Sequence, residues 1–142
     1  MTSYYVRRLS GIRLRRCYEL APPRVARYLE SEIAHALSRV EPGSRVLELG
    51  CGYGRVAGKL AERAAYVVGI DVSEESLALA RAELRGQTRC EFRRMDATRM
   101  DFPDALFDAV VCVQNGICSF GVPRTRLLRE ALRVTRPGGR VI

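Results

Sequence analysis

What most limits the folds open to this chain is an alternation, sustained from Arg45 to Ile142, of short apolar runs with stretches of helical period. Residues 45–50 (RVLELG), 66–70 (YVVGI), 89–95 and 107–113 (FDAVVCV) read as strands, and residues 140–142 as the start of another. Between them, Val56, Ala57, Leu60, Ala61 and Ala64 form one apolar helix stripe, Leu77, Ala80 and Leu84 a second, and Leu127, Leu128, Ala131 and Leu132 a third. Strands that alternate with helices are joined by crossovers, and crossovers make neighbouring strands parallel. The expectation is an α/β fold with an open, mostly parallel sheet and helices on both faces.

Local signals mark where the helices begin and end. Pro22 and Pro23 open a helix carrying Val25, Leu29, Ile33, Ala36, Leu37 and Val40 at helical spacing, and it stops near Pro42 and Gly43. Ser73 is placed as an N-cap with Glu74 and Glu75 in the first turn, and Gly86 as a left-handed cap at the other end. Pro123 opens the last helix, in which Arg126 can pair with Glu130, and residues 137–139 (PGG) turn the chain into its final strand.

A chain of 142 residues, 47% hydrophobic, fits one core. Residues 1–42 read as a helical cap or lid segment, and residues 43–142 as the sheet domain. No apolar run approaches the roughly 18 residues of a membrane span, and arginines are scattered through residues 1–16, so a cytoplasmic location without membrane contact is expected. Five cysteines without a C-x-x-C pair, and a single histidine, His35, argue against a metal site. The net charge of +8 comes almost wholly from arginine, because Lys59 is the sole lysine. An acidic partner such as RNA is compatible with that balance, but the arginines are spread over every helix and both termini, the pattern of solvated faces.

The chemistry gathers where strands end, because an open parallel sheet binds ligands at its carboxyl edge. The first strand runs into Gly50, Cys51, Gly52, Tyr53 and Gly54, a loop whose bare main chain can approach a ligand closely. A dinucleotide fingerprint begun at Gly50 needs glycine where Arg55 stands, and a phosphate-binding P-loop ending at Lys59 is one residue short. The second strand ends in Asp71, whose carboxylate can accept hydrogen bonds from both hydroxyls of a ribose. A helix cap is the plainer role for Asp71, but Ser73 already fills it. Asp96, after the third strand, gains weight only from its place in this series.

These residues resemble a known family, the class I S-adenosylmethionine-dependent methyltransferases. VLELGCGYGR (Val46 to Arg55) looks like the family's first motif and GIDVS (Gly69 to Ser73) like its acidic second strand. Met95, Asp96 and Ala97 are similar to the segment that frames the adenine, and LREALRVTRPGGRVI (Leu128 to Ile142) to the helix and turn before the fifth strand. The resemblance implies a Rossmann-like sheet of order 3-2-1-4-5. It implies that Gly50, Cys51, Gly52 and Gly54 line the methionine half of S-adenosylmethionine, with Glu48 beneath orienting the loop or reaching the amino group through water. By the same resemblance Asp71 holds the ribose, Val72 packs on the adenine, Asp96 and Ala97 bind its polar edge, and Gln114 and Asn115 face the methyl donor. The product is S-adenosylhomocysteine. No catalytic residue is singled out, and the acceptor is unidentified, a small molecule being favoured over RNA. Tyr4, Tyr5 and Tyr18 either fold over the cofactor as a lid or pack on the core.

Full family members continue beyond the fifth strand by an antiparallel pair that this chain lacks, so either a fragment or a protein that completes its sheet with another chain is expected, with dimerisation through the open edge, limited stability or aggregation. Two other function classes stay open: a nicotinamide-dependent oxidoreductase, opposed by Arg55 and Glu48, and a non-catalytic cofactor- or RNA-binding module.

Overall fold

A computed structural model of the protein describes residues 8–114, 117 and 121–142. The expected strands form one sheet: β1 (Arg45–Leu49), β2 (Tyr66–Asp71), β3 (Cys90–Arg94), β4 (Phe107–Val111) and β5 (Thr135–Val141). Every pairing among them is parallel, and the order is β3-β2-β1-β4-β5. The central strands are legible as continuous apolar runs because both of their faces are covered. Val46 and Val67 point into a core shared with α2 (Pro23–Arg39), α3 (Arg55–Leu60) and α4 (Glu74–Glu83). Leu47, Leu49, Val68 and Ile70 point the other way, into a core closed by α5 (Arg124–Val134) and by Ala97, Met100 and Phe102 of the β3–β4 connection. Glu48 shares the face of Val46, since side chains alternate along a strand.

The N-terminal segment contributes α1 (Gly11–Glu19) and α2. Ile33, Ala36 and Val40 of the second helix and its cap join the core of Val46, whereas Val25 at its start is 44% exposed and lies off the stripe. The first helix rests on α4: the Gly11 amide donates to Ser76 Oγ at 2.9 Å and Ser10 Oγ to Glu75 Oε2 at 2.6 Å. Gly11 has φ 51°, and a Cβ there would lie 2.6 Å from Glu75 Oε1, so a side chain at this position is strained and would have to displace Glu75.

Several expectations need correction. Leu128 and Leu132 are not part of the buried stripe of α5, being 41% and 64% exposed; Leu127, Ala131 and Val134 form it at i, i+4 and i+7. Glu130 pairs with Arg133, not Arg126, and also accepts the Met100 amide at 2.9 Å, while Arg133 donates to the Met100 and Phe102 carbonyls, binding α5 to the β3–β4 connection. Gly86 makes no left-handed cap, because α4 ends at Leu84 with φ −103°. β4 stops at Val111, short of residue 113. The glycines after Pro137 do not precede β5 but bulge within it: Phe107 pairs with Thr135 and Ala109 with Arg140, with Gly138 at φ 77° in the extra loop.

Gly69 in β2 is what lets the first strand's loop close onto the second strand. A Cβ there would meet Cys51 Cβ and Sγ and Phe92 Cδ1, each at 2.9 Å. Gly69→Ala is therefore expected to lower stability by about 1–3 kcal/mol, read as a lower urea midpoint at an unchanged m-value.

Candidate cofactor site at the carboxyl edge of the sheet

Gly50, Gly52 and Gly54 all adopt left-handed backbone, with φ of 70°, 54° and 84°, which is the physical reason for three glycines in alternation. The amides of the loop are largely satisfied by the protein itself. Gly50 and Cys51 both donate to the Ile70 carbonyl, at 2.8 and 3.0 Å, Gly54 donates to the Cys51 carbonyl at 2.9 Å, and Gly52 donates to Asp71 Oδ2 at 2.9 Å. What the loop offers a ligand is thus bare surface more than free N–H groups. Even that is unequal among the glycines. A Cβ at Gly54 would lie 2.9 Å from Leu84 Cδ1 and 3.1 Å from Phe92 Cζ, so Gly54 is a packing glycine against α4 and β3. The open side of Gly52 faces Leu14 of α1, 2.9 Å from where a Cβ would stand. Cys51 is buried, and burial holds its thiol well above the ordinary range, in keeping with a packing role.

Asp71 is brought to the loop as the β1/β2 register requires, with Leu49 opposite Ile70. Its Oδ2 takes the Gly52 amide and its Oδ1 the Ser73 amide at 2.8 Å, so one carboxylate fixes both the glycine loop and the start of α4, where Ser73 Oγ caps the Ser76 amide at 3.3 Å. Burial raises its pKa, opposed by the amides of Ser73, Gly52 and Val72. Three amides against the roughly four lone-pair positions of a carboxylate leave Asp71 acceptor capacity for a further donor. Val72 beside it is 40% exposed. Asp96 is exposed, and its Oδ1 accepts both the amide and the hydroxyl of Thr98 at 2.8 Å, while Ala97 is buried against Ile70 and its neighbours. Asn115, Tyr4 and Tyr5 lie outside the described residues.

Tyr18, expected either as a lid or as a packing residue, stands in a cluster whose assembly the sequence did not indicate. The Tyr18 hydroxyl donates to Gln114 Oε1, its ring lies 6.0 Å from that of Tyr53, and the Arg55 guanidinium sits over it at 4.6 Å. Gln114 itself has φ 54°, an uncommon conformation for a side-chain-bearing residue. Four buried side-chain atoms lack a hydrogen-bond partner among the described residues, and three belong to this edge: Glu48 Oε2, Arg55 Nη2 and Gln114 Nε2. One sequence signal pointed to Arg55: an arginine in the first turn of a helix, directly after a glycine loop, is opposed by the helix dipole and calls for another reason.

Glu48 is buried, and the loss of water pushes its pKa up to about 8 despite the Arg55 charge and the Ala57 amide, which favour the ionised form; Asp71 reinforces the rise. A carboxyl with a raised folded-state pKa contributes stability that is fully present below its ordinary value near 4.5 and is lost as the pH climbs to about 8. Glu48→Gln, isosteric and uncharged, should abolish that loss. The stability advantage of the variant over the wild type is expected to grow by on the order of a few kcal/mol between pH 5 and pH 8.5, as measured by urea unfolding; a constant difference across that range would contradict the buried acid.

The family described as "Methyltransferase domain" matches residues 46–139, from β1 to the bulge of β5. Two similar curated proteins are the demethylmenaquinone methyltransferase of Clavibacter sepedonicus, 42% identical over 100 residues, and the phosphatidylethanolamine N-methyltransferase of Cereibacter sphaeroides, 41% identical over 112 residues. The matches cover 70% and 77% of this chain but 40% and 52% of those proteins, so the chain spans about half the length, or less, of these relatives. Among solved structures, that of the [4+2]-cyclase SpnF is 34% identical with a TM-score of 0.68, covering 75% of this chain and 41% of that one. This chain belongs to the methyltransferase-domain family, and its sheet is the Rossmann-like one of the S-adenosylmethionine-dependent group that its motifs resemble.

Proposed function

We propose that the protein transfers a methyl group from S-adenosylmethionine to a small-molecule acceptor. The observation that carries this reading is the Asp71 carboxylate, pinned by the Gly52 and Ser73 amides at the mouth of the glycine loop with acceptor positions left over. A ribose diol fits such an acceptor, and the exposed Val72 beside it suits the face of a base. Glu48, unpartnered at Oε2, fits an ammonium group, and the raised pKa means that binding one would expel a proton near neutral pH. Asp96 is the weaker part of the expected set, because Thr98 already occupies one of its oxygens.

S-adenosylmethionine supplies a methyl group already activated on a sulfonium, which a nucleophile can displace in line. The residues of this chain then have to bind, orient and keep water out, holding the reactants at roughly 3 to 3.5 Å, and no catalytic acid is needed. A small acceptor is supported by the names of the relatives, which specify demethylmenaquinone and phosphatidylethanolamine. RNA is less well supported, since six arginines are engaged in ion pairs with carboxylates. The cyclase among the similar structures favours a second reading, in which the same cleft serves a reaction other than methyl transfer. A cytoplasmic place belongs to the proposal; among the described residues no helix is long and apolar enough to cross a membrane. We also propose that the outer edge of β5, the last strand of the sheet and the bearer of the exposed Val141, pairs with a second copy.

Calorimetric titration tests the central proposal. S-adenosylhomocysteine should bind, and Asp71→Asn should weaken it about 10- to 100-fold, the loss of charge from one or two hydrogen bonds, with the unfolding transition retained. Binding of NAD with no response to S-adenosylhomocysteine would overturn it. For the paired edge, sedimentation at tens of micromolar protein should show a dimer, and a single species of monomer mass ends that part.

A further inference from the structure

Arginines are spread along this chain, but carboxylates are not. Residues 1–28 hold seven arginines and a single acid, Glu19, so six of the eight net positive charges belong to this stretch. Glu19 and Arg15 answer each other, whereas Arg13, Arg16, Arg24 and Arg27 are exposed and have no carboxylate partner among the described residues. Four of the eight exposed large apolar side chains among the described residues lie in the same stretch: Ile12, Leu20, Val25 and Tyr28, with Leu20 the barest at 82%. Helical geometry places Ile12 and Arg16 at i and i+4 on α1, with Leu20 a turn further at its C-cap, while Gly11, Leu14 and Tyr18 take the other side, toward α4 and the glycine loop. Beyond the exposed Pro22 and Pro23, Arg24 and Val25 are followed three residues later by Arg27 and Tyr28, all four exposed. The junction of the two helices is therefore an outward surface on which aliphatic and cationic side chains alternate.

We propose that the α1–α2 junction docks the protein peripherally on an anionic lipid surface, with Ile12, Leu20 and Val25 entering the interfacial layer and Arg13, Arg16, Arg24 and Arg27 meeting the headgroups. The aliphatic side chains are what favour lipid over nucleic acid, because a phosphate backbone rewards the arginines but leaves a side chain such as Leu20 in water. Peripheral contact needs no spanning helix, so it does not call for the long apolar run on whose absence the expectation of no membrane contact was based. The docking has a consequence for access to the cleft. With one side of α1 toward lipid and Leu14 and Tyr18 on the other against the glycine loop and Arg55, the loop is held about one helix diameter, roughly 10 to 12 Å, from the headgroups. The docking itself does not depend on the methyl-donor reading.

Co-sedimentation of the full chain with vesicles tests the assignment. Vesicles of equal parts phosphatidylcholine and phosphatidylglycerol should carry the protein down at low ionic strength and release it progressively as salt is added, and vesicles of phosphatidylcholine alone should retain at least about 10-fold less. Leu20→Ser should weaken the partition about 10-fold, and Arg16→Gln and Arg27→Gln about 5-fold each, with the unfolding transition unchanged because these side chains are exposed. The chain contains no tryptophan, so L20W supplies a single fluorophore whose emission should move to shorter wavelength on the anionic vesicles and not on the neutral ones. Protein that ignores the anionic vesicles, or binds them with L20W emission unmoved and Leu20→Ser without effect, overturns the assignment. Equal affinity for single-stranded RNA, weakened by the arginine variants but indifferent to Leu20→Ser, overturns it in favour of nucleic acid. A Leu20→Ser variant that turns a dimer into a monomer and leaves vesicle partition unchanged gives the surface to a second copy instead. Titration with S-adenosylhomocysteine in the absence of vesicles reads the methyl-donor proposal separately.

Discussion

The hydrogen bond from the Gly52 amide to Asp71 is the contact on which the site depends. It joins the loop after β1 to the end of β2, and it can form only because the parallel register places Leu49 opposite Ile70 and because the Gly50 and Cys51 amides already converge on the Ile70 carbonyl. Gly69, bare on the side that Cys51 approaches, removes the steric obstacle. The other oxygen of Asp71 reaches the first turn of α4 through Ser73. One carboxylate therefore sets the relation of two strands and a helix, and a loop of three left-handed glycines becomes a rigid surface. Left-handed backbone is costly to organise in a free chain, and here it is held by hydrogen bonds while Leu14, Leu84 and Phe92 pack where the missing side chains of Gly52 and Gly54 would stand.

Much of this was legible in the sequence, for reasons that differ from element to element. β1, β2 and β4 announce themselves because strands covered on both faces must be apolar throughout. Asp71 and the glycine loop stand at strand ends, where a single local pattern carries both geometry and chemistry. The misreadings arise where the deciding partner is distant. Leu128 and Leu132 fit a helical stripe as well as Leu127 and Ala131 do, and only the direction of the sheet selects between the two sets. Gly54 looks like its neighbours in the loop, yet its free side is closed by Leu84 and Phe92, about 30 and 40 residues away. Tyr18 and Gln114 are 96 positions apart, a separation that no periodicity reports.

The N-terminal helix owes its position to the site more than to the hydrophobic core. Ser10 and Gly11 bind the first turn of α4, Leu14 lies against Gly52, and Tyr18 bridges Arg55 and Gln114. Its outer face leaves Ile12 43% exposed, and Leu20 just beyond its end is 82% exposed, so little apolar burial secures it there. The ion pairs of Arg15 with Glu19 and Glu83 are at the surface and contribute little. The helix is thus held by polar contacts to α4 at its start and by Leu14 and Tyr18 against the glycine loop and its surroundings, which joins residues far upstream of the loop to it.

The same edge concentrates features that cost the folded chain stability. Glu48 is buried with an unbonded oxygen, Arg55 and Gln114 each hide an unbonded donor, and Gln114 adopts a backbone conformation that non-glycine residues avoid. Elsewhere the fold satisfies its charged groups carefully: Arg133 alone serves Glu130, Asp104 and two carbonyls. Random imperfection would scatter unsatisfied atoms over the molecule, but three of the four found among the described residues belong to residues at the carboxyl edge of the sheet. The Arg55 charge favours ionised Glu48, but the loss of water outweighs it and raises the carboxyl's pKa, so this edge carries a desolvation cost that the fold itself does not offset.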